Sequence, residues 1–221
     1  MKNIAVFSIL LGLPLLISSS LANAATSAAA AGETIVNQGN AKGALACMTC
    51  HGKQGQGNAA AGYPYLAGQP QGYLVKQLQD FASERRKNSV MQPFASALSA
   101  DEMNAVASYY AKLPLPKTAS STNNNPSREN GKRLATKGKW SVGVPACFQC
   151  HGDQGQGVAP NFPAIRGQSA TYLKKQLEHW RKGERSNDPV GLMQAVVAEL
   201  EEAEITAVAS YLASQIPQTM K

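Results

Sequence analysis

Ala46-Cys47-Met48-Thr49-Cys50-His51-Gly52-Lys53-Gln54-Gly55-Gln56-Gly57 returns one hundred residues later as Ala146-Cys147-Phe148-Gln149-Cys150-His151-Gly152-Asp153-Gln154-Gly155-Gln156-Gly157. The correspondence runs on in both directions. Tyr63-Pro64 and Leu66-x-Gly68-Gln69 answer Phe162-Pro163 and Ile165-x-Gly167-Gln168 at an offset of 99. Tyr73-Leu74, Gln77-Leu78 and Phe81 answer Tyr172-Leu173, Gln176-Leu177 and Trp180 at the same offset. Met91-Gln92 and Ala105-Val106-Ala107-Ser108-Tyr109 answer Met193-Gln194 and Ala207-Val208-Ala209-Ser210-Tyr211 at an offset of 102. Ordered matches with a slowly drifting offset are what loop insertions leave between two copies of one domain.

The ends of the two copies are legible. Met1-Lys2-Asn3, the apolar run Ile4 to Ile17 and the small-x-small triplet Ala22-Asn23-Ala24 form a secretory leader cut after Ala24. The run is short for a membrane span of about 20 residues. Leu113-Pro114-Leu115-Pro116 stops a helix, and the polar stretch SSTNNNPS over residues 120–127 has no periodicity. The expected layout is a leader over 1–24, a first domain over 25–115, a linker over 116–127 and a second domain over 128–221.

Within each half the period is helical. Leu74, Leu78 and Phe81 fall at i, i+4 and i+7 between Tyr73 and Arg86, and Leu173, Leu177 and Trp180 do so between Ala170 and Lys182. Ser99-Ala100-Asp101-Glu102 is a capping-box start for a helix to about Ala111, and Glu201 to Ser214 is its counterpart. Helices over residues 33–44 and 127–137 are expected ahead of each cysteine cluster. No segment alternates as a strand does, so the fold class is all-α: two tandem domains related by duplication. Such short units need something besides side chains to complete a core.

Cys47-x-x-Cys50-His51 and Cys147-x-x-Cys150-His151 read as covalent attachment of c-type haem. Residues three apart share a face of a helical turn. Two thiols so placed can form thioethers to one porphyrin, and the histidine that follows is held beneath the iron. A zinc site would need four ligands and gives no reason for a histidine in both fifth positions. A thioredoxin-like pair needs a βαβ setting, and the placing of the four cysteines in equivalent positions of two repeats argues against structural disulfides.

The sixth iron position decides between electron transfer and chemistry at an open site. Among the histidines outside the motifs there is only His179, which aligns with Asp80 and reads as a partly exposed helix residue. Met48, Met103 and Met220 have no methionine partner in the other half, whereas Met91 and Met193 match each other. Met91 and Met193 are therefore the candidate sixth ligands of the irons held by His51 and His151. A soft thioether favours ferrous iron and raises the potential.

On both C-x-x-C-H-G motifs, the Pro64-x-Leu66-x-Gly68 and Pro163-x-Ile165-x-Gly167 loops and the late methionines, the chain resembles the cytochrome c4 family over nearly its whole length beyond the leader. The stretch Asn187-Asp188-Pro189 leading to Met193 is similar to that family's ligand loop, while Asn88-Ser89-Val90 reaches Met91 by a loop three residues shorter. The resemblance implies two cytochrome c-like domains, two covalently bound haem c groups, and carbonyls of Pro64 and Pro163 accepting from the ring N–H of His51 and His151. Arg86 and Arg185 either carry propionate charge or lie solvated on the surface. Tyr63, Phe162, Tyr109 and Tyr211 are expected to line haem pockets or pack in the core.

The function this implies is a periplasmic electron carrier, free or loosely attached to a membrane surface. It would take electrons from a donor such as a bc1-type complex and deliver them to a terminal oxidase, without a reaction of its own. An alternative is the dihaem electron-accepting subunit of a flavoprotein such as sulfide dehydrogenase. A dihaem peroxidase or a gas sensor would need an open iron, which two matched methionines argue against. The formal charge of +7 is spread along the chain with no cationic run or aromatic-basic stripe, so nucleic acid is not expected as a partner.

Overall fold

Each cysteine motif folds as a single helical turn whose flanking loops pack under two longer helices. Residues 30–116 and 126–215 are described by the structure, a computed structural model; the expected leader, and residues 117–125 of the expected linker, lie outside them. The first half comprises α1 (residues 30–38), α2 (Met48–His51), α3 (Gln71–Ala82), α4 (Met91–Ser96) and α5 (Ala100–Lys112). The second repeats this order as α6 (Pro126–Lys137), α7 (Cys147–His151), α8 (Ala170–Arg181), α9 (Leu192–Ala198) and α10 (Glu202–Ala213). Among the described residues there is no strand, only three isolated antiparallel bridges.

The apolar stripes find one another within each half. Ile35, Val36, Leu74, Val106 and Tyr110 close one core; Leu134, Leu173, Ile205, Val208 and Leu212 close the other. Burying each such aliphatic side chain contributes roughly 1.5–3 kcal/mol. The first and last helices of each half cross at a small residue. A Cβ on Gly32 would stand 2.3 Å from the Ala105 carbonyl oxygen, and one on Gly131 would stand 2.2 Å from that of Ala207. The capping box forms as read at Ser99 and Glu102, and Glu201 and Glu204 form a second one at the start of α10.

Two boundaries differ from expectation. The helix expected over 33–44 ends at residue 38, because Gly39 turns left-handed (φ 76) and its N–H returns to the Ile35 carbonyl at 2.8 Å. The helix expected to reach Arg86 ends at Ala82, and Glu84 adopts φ 58 where the second copy has Gly183. The short helices α4 and α9, which begin at or next to the candidate methionines, carry no periodic signal of their own.

The halves meet through the loops that follow the cysteine motifs. Tyr65 is buried, and its hydroxyl donates to the carbonyls of Ala164 (3.3 Å) and Arg166 (2.9 Å) in the other half. Gly72, at the start of α3, lies so near Pro160 that a Cβ would come within 2.7 Å of the proline ring. Gly131→Val is expected to push α6 off α10 and lower stability by about 1–3 kcal/mol, measured by denaturant unfolding of the haem-loaded protein.

Candidate functional site

The sequence brings Cys47, Cys50 and His51 onto one turn, and Cys147, Cys150 and His151 onto another. None of the four cysteines is paired in a disulfide. Burial pushes the thiols of Cys47 and Cys147 up to about 11, so neither is a ready thiolate. That is poor chemistry for a dithiol redox couple.

Both histidines are buried, at 7 % and 9 % exposure. His51 Nδ1 lies 2.9 Å from the Pro64 carbonyl, and His151 Nδ1 lies 2.8 Å from that of Pro163. A carbonyl only accepts, so Nδ1 carries the proton and Nε2 keeps its lone pair. Burial lowers the pKa of each ring, against the opposing pull of the proline carbonyl. The imidazoles are thus neutral, fixed in tautomer and free to bond a metal through Nε2. Tyr63 stands 6.1 Å from the His51 ring, and Phe162 stands edge-on 6.0 Å from that of His151.

The proline loops are pinned at both ends. Leu66 and Ala67 N–H groups reach the Gly55 carbonyl, as Ile165 and Arg166 reach that of Gly155. Gly68 N–H donates to Tyr110 O at 2.9 Å and Gly167 N–H to Leu212 O at 2.8 Å, tying each loop to the last helix of its half.

The two arginines are not solvated: Arg86 is 7 % and Arg185 5 % exposed. The surface reading of these residues is therefore corrected. Arg86 donates to Gln77 (2.8 Å), Gln176 (2.8 Å) and the Tyr172 hydroxyl (2.9 Å). Arg185 donates to the same two glutamine oxygens, at 2.8 Å to Gln176 and 3.1 Å to Gln77. Each guanidinium lies over an aromatic ring, Arg86 on Phe81 and Arg185 on Trp180. Among the described residues neither is ion-paired with a carboxylate. The buried Asp80 carboxylate attracts Arg86, but the side chains that accept hydrogen bonds from the two guanidiniums are neutral. Two such cations call for further anionic groups nearby, and the acid groups of a porphyrin meet that need. The buried Tyr110 hydroxyl and Trp180 Nε1, both without a partner among the described residues, are further polar atoms suited to such a group. On donor chemistry and on these orphaned atoms, the residues fit haem in both halves.

The structure sets Met91 and Met193, both half-buried, at the first turns of α4 and α9. Asn88 Oδ1 accepts from the backbone of Val90 and Met91, closing the shorter loop on itself. In the second half Asp188 Oδ2 accepts from Met193 N at 2.6 Å. This longer loop runs through Val190 at φ 53, a costly conformation for a β-branched residue. It is also anchored across the interface. Asn187 donates to Asp80 at 2.6 Å, its carbonyl accepts from Lys76 at 2.7 Å, and Asp80 is fully buried. His179, which aligns with Asp80, is partly exposed, as read from the sequence, and its Nε2 lies 3.6 Å from Glu184.

Gln69, Gln168, Gln77, Gln176, Asp80 and Tyr110 were given no role by sequence reasoning. The glutamines had a signal: a polar residue repeated at offset 99 among apolar neighbours in both copies. Asn187→Ala, which strips donors from a buried carboxylate, is expected to cost about 1–3 kcal/mol in denaturant unfolding.

A family model described as Cytochrome c matches residues 29–114 and again 128–215. A "Thiosulfate dehydrogenase electron acceptor" of Thiomonas intermedia is 48 % identical over 179 residues, covering 78 % of this chain and 79 % of that protein. A solved thiosulfate dehydrogenase (TsdBA) from Marichromatium purpuratum superposes with TM-score 0.79 at 36 % identity over 85 % of this chain, which spans only 40 % of that protein. The reduced cytochrome c4 of Pseudomonas stutzeri superposes with TM-score 0.75 at 32 % identity, over 85 % of this chain and 98 % of that one.

Proposed function

Because the chain belongs to the cytochrome c family, as a dihaem protein of the cytochrome c4 kind, we propose that it is the periplasmic electron acceptor of a thiosulfate dehydrogenase. The observation that carries this is the 48 % identity to a protein bearing that description. As a dihaem cytochrome c it binds two haem c groups covalently, and when bound each supplies a one-electron ferric–ferrous couple. The chain's own part is to hold, insulate and orient. It catalyses no reaction on thiosulfate itself, and hands electrons on to a further redox protein.

In this reading the two halves, 25–115 and 128–221, are separate haem domains. Cys47, Cys50, His51 and Met91 would hold the first haem, the cysteines through thioethers and His51 and Met91 through the iron; Cys147, Cys150, His151 and Met193 would hold the second in the same way. His51 and His151 keep Nε2 for iron because the proline carbonyls take the Nδ1 proton. Their burial keeps the ligand from being lost to protonation, and Tyr63 and Phe162 shield the rings from water. Arg86 and Arg185 offset haem acid groups where the halves meet. Among the described residues no helix is long and apolar enough to cross a membrane.

A second reading, delivery from a bc1-type donor to a terminal oxidase, is favoured by the likeness to a cytochrome c4. The two differ at the donor. The sulfide dehydrogenase alternative has less support, since the named relatives point to thiosulfate.

Stopped-flow mixing of the oxidised haem-loaded protein with catalytic thiosulfate dehydrogenase and thiosulfate is expected to reduce both haems. Thiosulfate alone is expected to leave both oxidised. No acceleration by the dehydrogenase would defeat the reading. Met91→His and Met193→His are each expected to lower the potential of one haem and to halve the thioether-to-iron band in the oxidised optical spectrum.

A further inference from the structure

The peptide group that orients each motif histidine is also gripped by a glutamine of the opposite half. Pro64 C=O and Tyr65 N–H belong to one peptide plane. The carbonyl accepts from His51 Nδ1 at 2.9 Å, and the N–H donates to Gln168 Oε1 at 3.2 Å. The second half mirrors this. Pro163 C=O accepts from His151 Nδ1 at 2.8 Å, and Ala164 N–H, on the same peptide, donates to Gln69 Oε1 at 2.9 Å. Each glutamine also donates from Nε2 to the next carbonyl of the facing loop: Gln69 to Ala164 O at 2.9 Å and Gln168 to Tyr65 O at 3.2 Å. Backbone N–H groups only donate and carbonyls only accept, so both amide orientations are forced. Gln69 and Gln168 are 4 % and 3 % exposed.

A peptide whose N–H is bonded becomes a better acceptor at its C=O, because hydrogen bonds in series polarise one another in a low-dielectric interior. A better acceptor draws the Nδ1 proton and makes Nε2 a stronger donor, which favours ferric iron. The contacts are crossed: Gln168 acts on the histidine of the first half, and Gln69 acts on that of the second.

We infer that Gln168 and Gln69 are positioning residues that set the redox potential of the opposite haem, through the peptide shared with His51 and His151 respectively. The inference rests on these histidines being iron ligands. Its consequence is that the two haems are tuned as a pair: the crossed glutamine contacts lower both potentials, and a parting of the halves that breaks those two contacts raises them.

Gln168→Leu keeps the bulk and removes the acceptor. In a spectroelectrochemical titration of the haem-loaded full chain, with the haems assigned by nuclear magnetic resonance, it is expected to shift the first haem toward ferrous by about threefold to tenfold. Tenfold corresponds to about 59 mV for one electron. The second haem is expected to move less than twofold, and Gln69→Leu should give the converse. The Nδ1 proton resonance of His51 in the ferrous protein should move with Gln168→Leu, and that of His151 with Gln69→Leu. Tyr65→Phe removes interface bonds while sparing the shared peptide, and should leave both potentials in place. Equal shifts in both haems, a shift in the glutamine's own half, or a Tyr65→Phe shift as large as that of Gln168→Leu would overturn the crossed relay. Absence of iron-shifted imidazole resonances from wild-type protein would instead sink the ligand assignment beneath it.

Discussion

A single hydrogen bond, from a buried imidazole N–H to a proline carbonyl, is the constraint on which the rest of each half depends. Without it the ring could turn or present the wrong nitrogen. With it, Nε2 is committed before any metal arrives. The surrounding loops are arranged to hold that carbonyl still: the glycine loop after the motif grips the proline loop from one side, and the carbonyls of Tyr110 and Leu212 grip it from the other. The last helix of each half is therefore a brace for the site as well as a wall of the core.

The same loop is also the meeting place of the two halves, which gives the duplication a physical meaning beyond doubling capacity. The Tyr65–Gln168 and Ala164–Gln69 contacts are reciprocal, as in an isologous dimer. So is the Arg86–Gln77–Arg185–Gln176 cluster, in which two like charges share two neutral acceptors. Departures from this symmetry concentrate near the methionine loops. Asp80 stands opposite His179, and only Asp80 reaches across to the other half's ligand loop. Among the described residues the loop before Met91 has no such tie and closes on Asn88. The two halves thus share their histidine environment and differ in how the loops before Met91 and Met193 are held.

The sequence made the motifs, the repeat and the long helices legible, because each is carried by local spacing. The Ser99 capping box and the stripes of α3 and α8 needed no tertiary information. The early end of α1 at Gly39 was missed because a glycine at a helix end and one inside it look alike until the chain turns. The short helices α4 and α9 hold too few residues for a period to show. The burial of Arg86 and Arg185 was out of reach for a different reason. A guanidinium is hidden only by what packs on it, and here that packing comes from both halves at once. The crossed glutamines were visible as a repeated pair, but their partners are backbone atoms, which leave no mark in a sequence.

The most direct test is to weigh the intact protein, matured in a cell competent in cytochrome c assembly, and to count haem by pyridine haemochrome on the same sample. Two haems per chain, each retained in acid acetone and each linked through both cysteines of its motif, is the result required. A chain carrying one haem, or releasing haem from either motif on extraction, would contradict it.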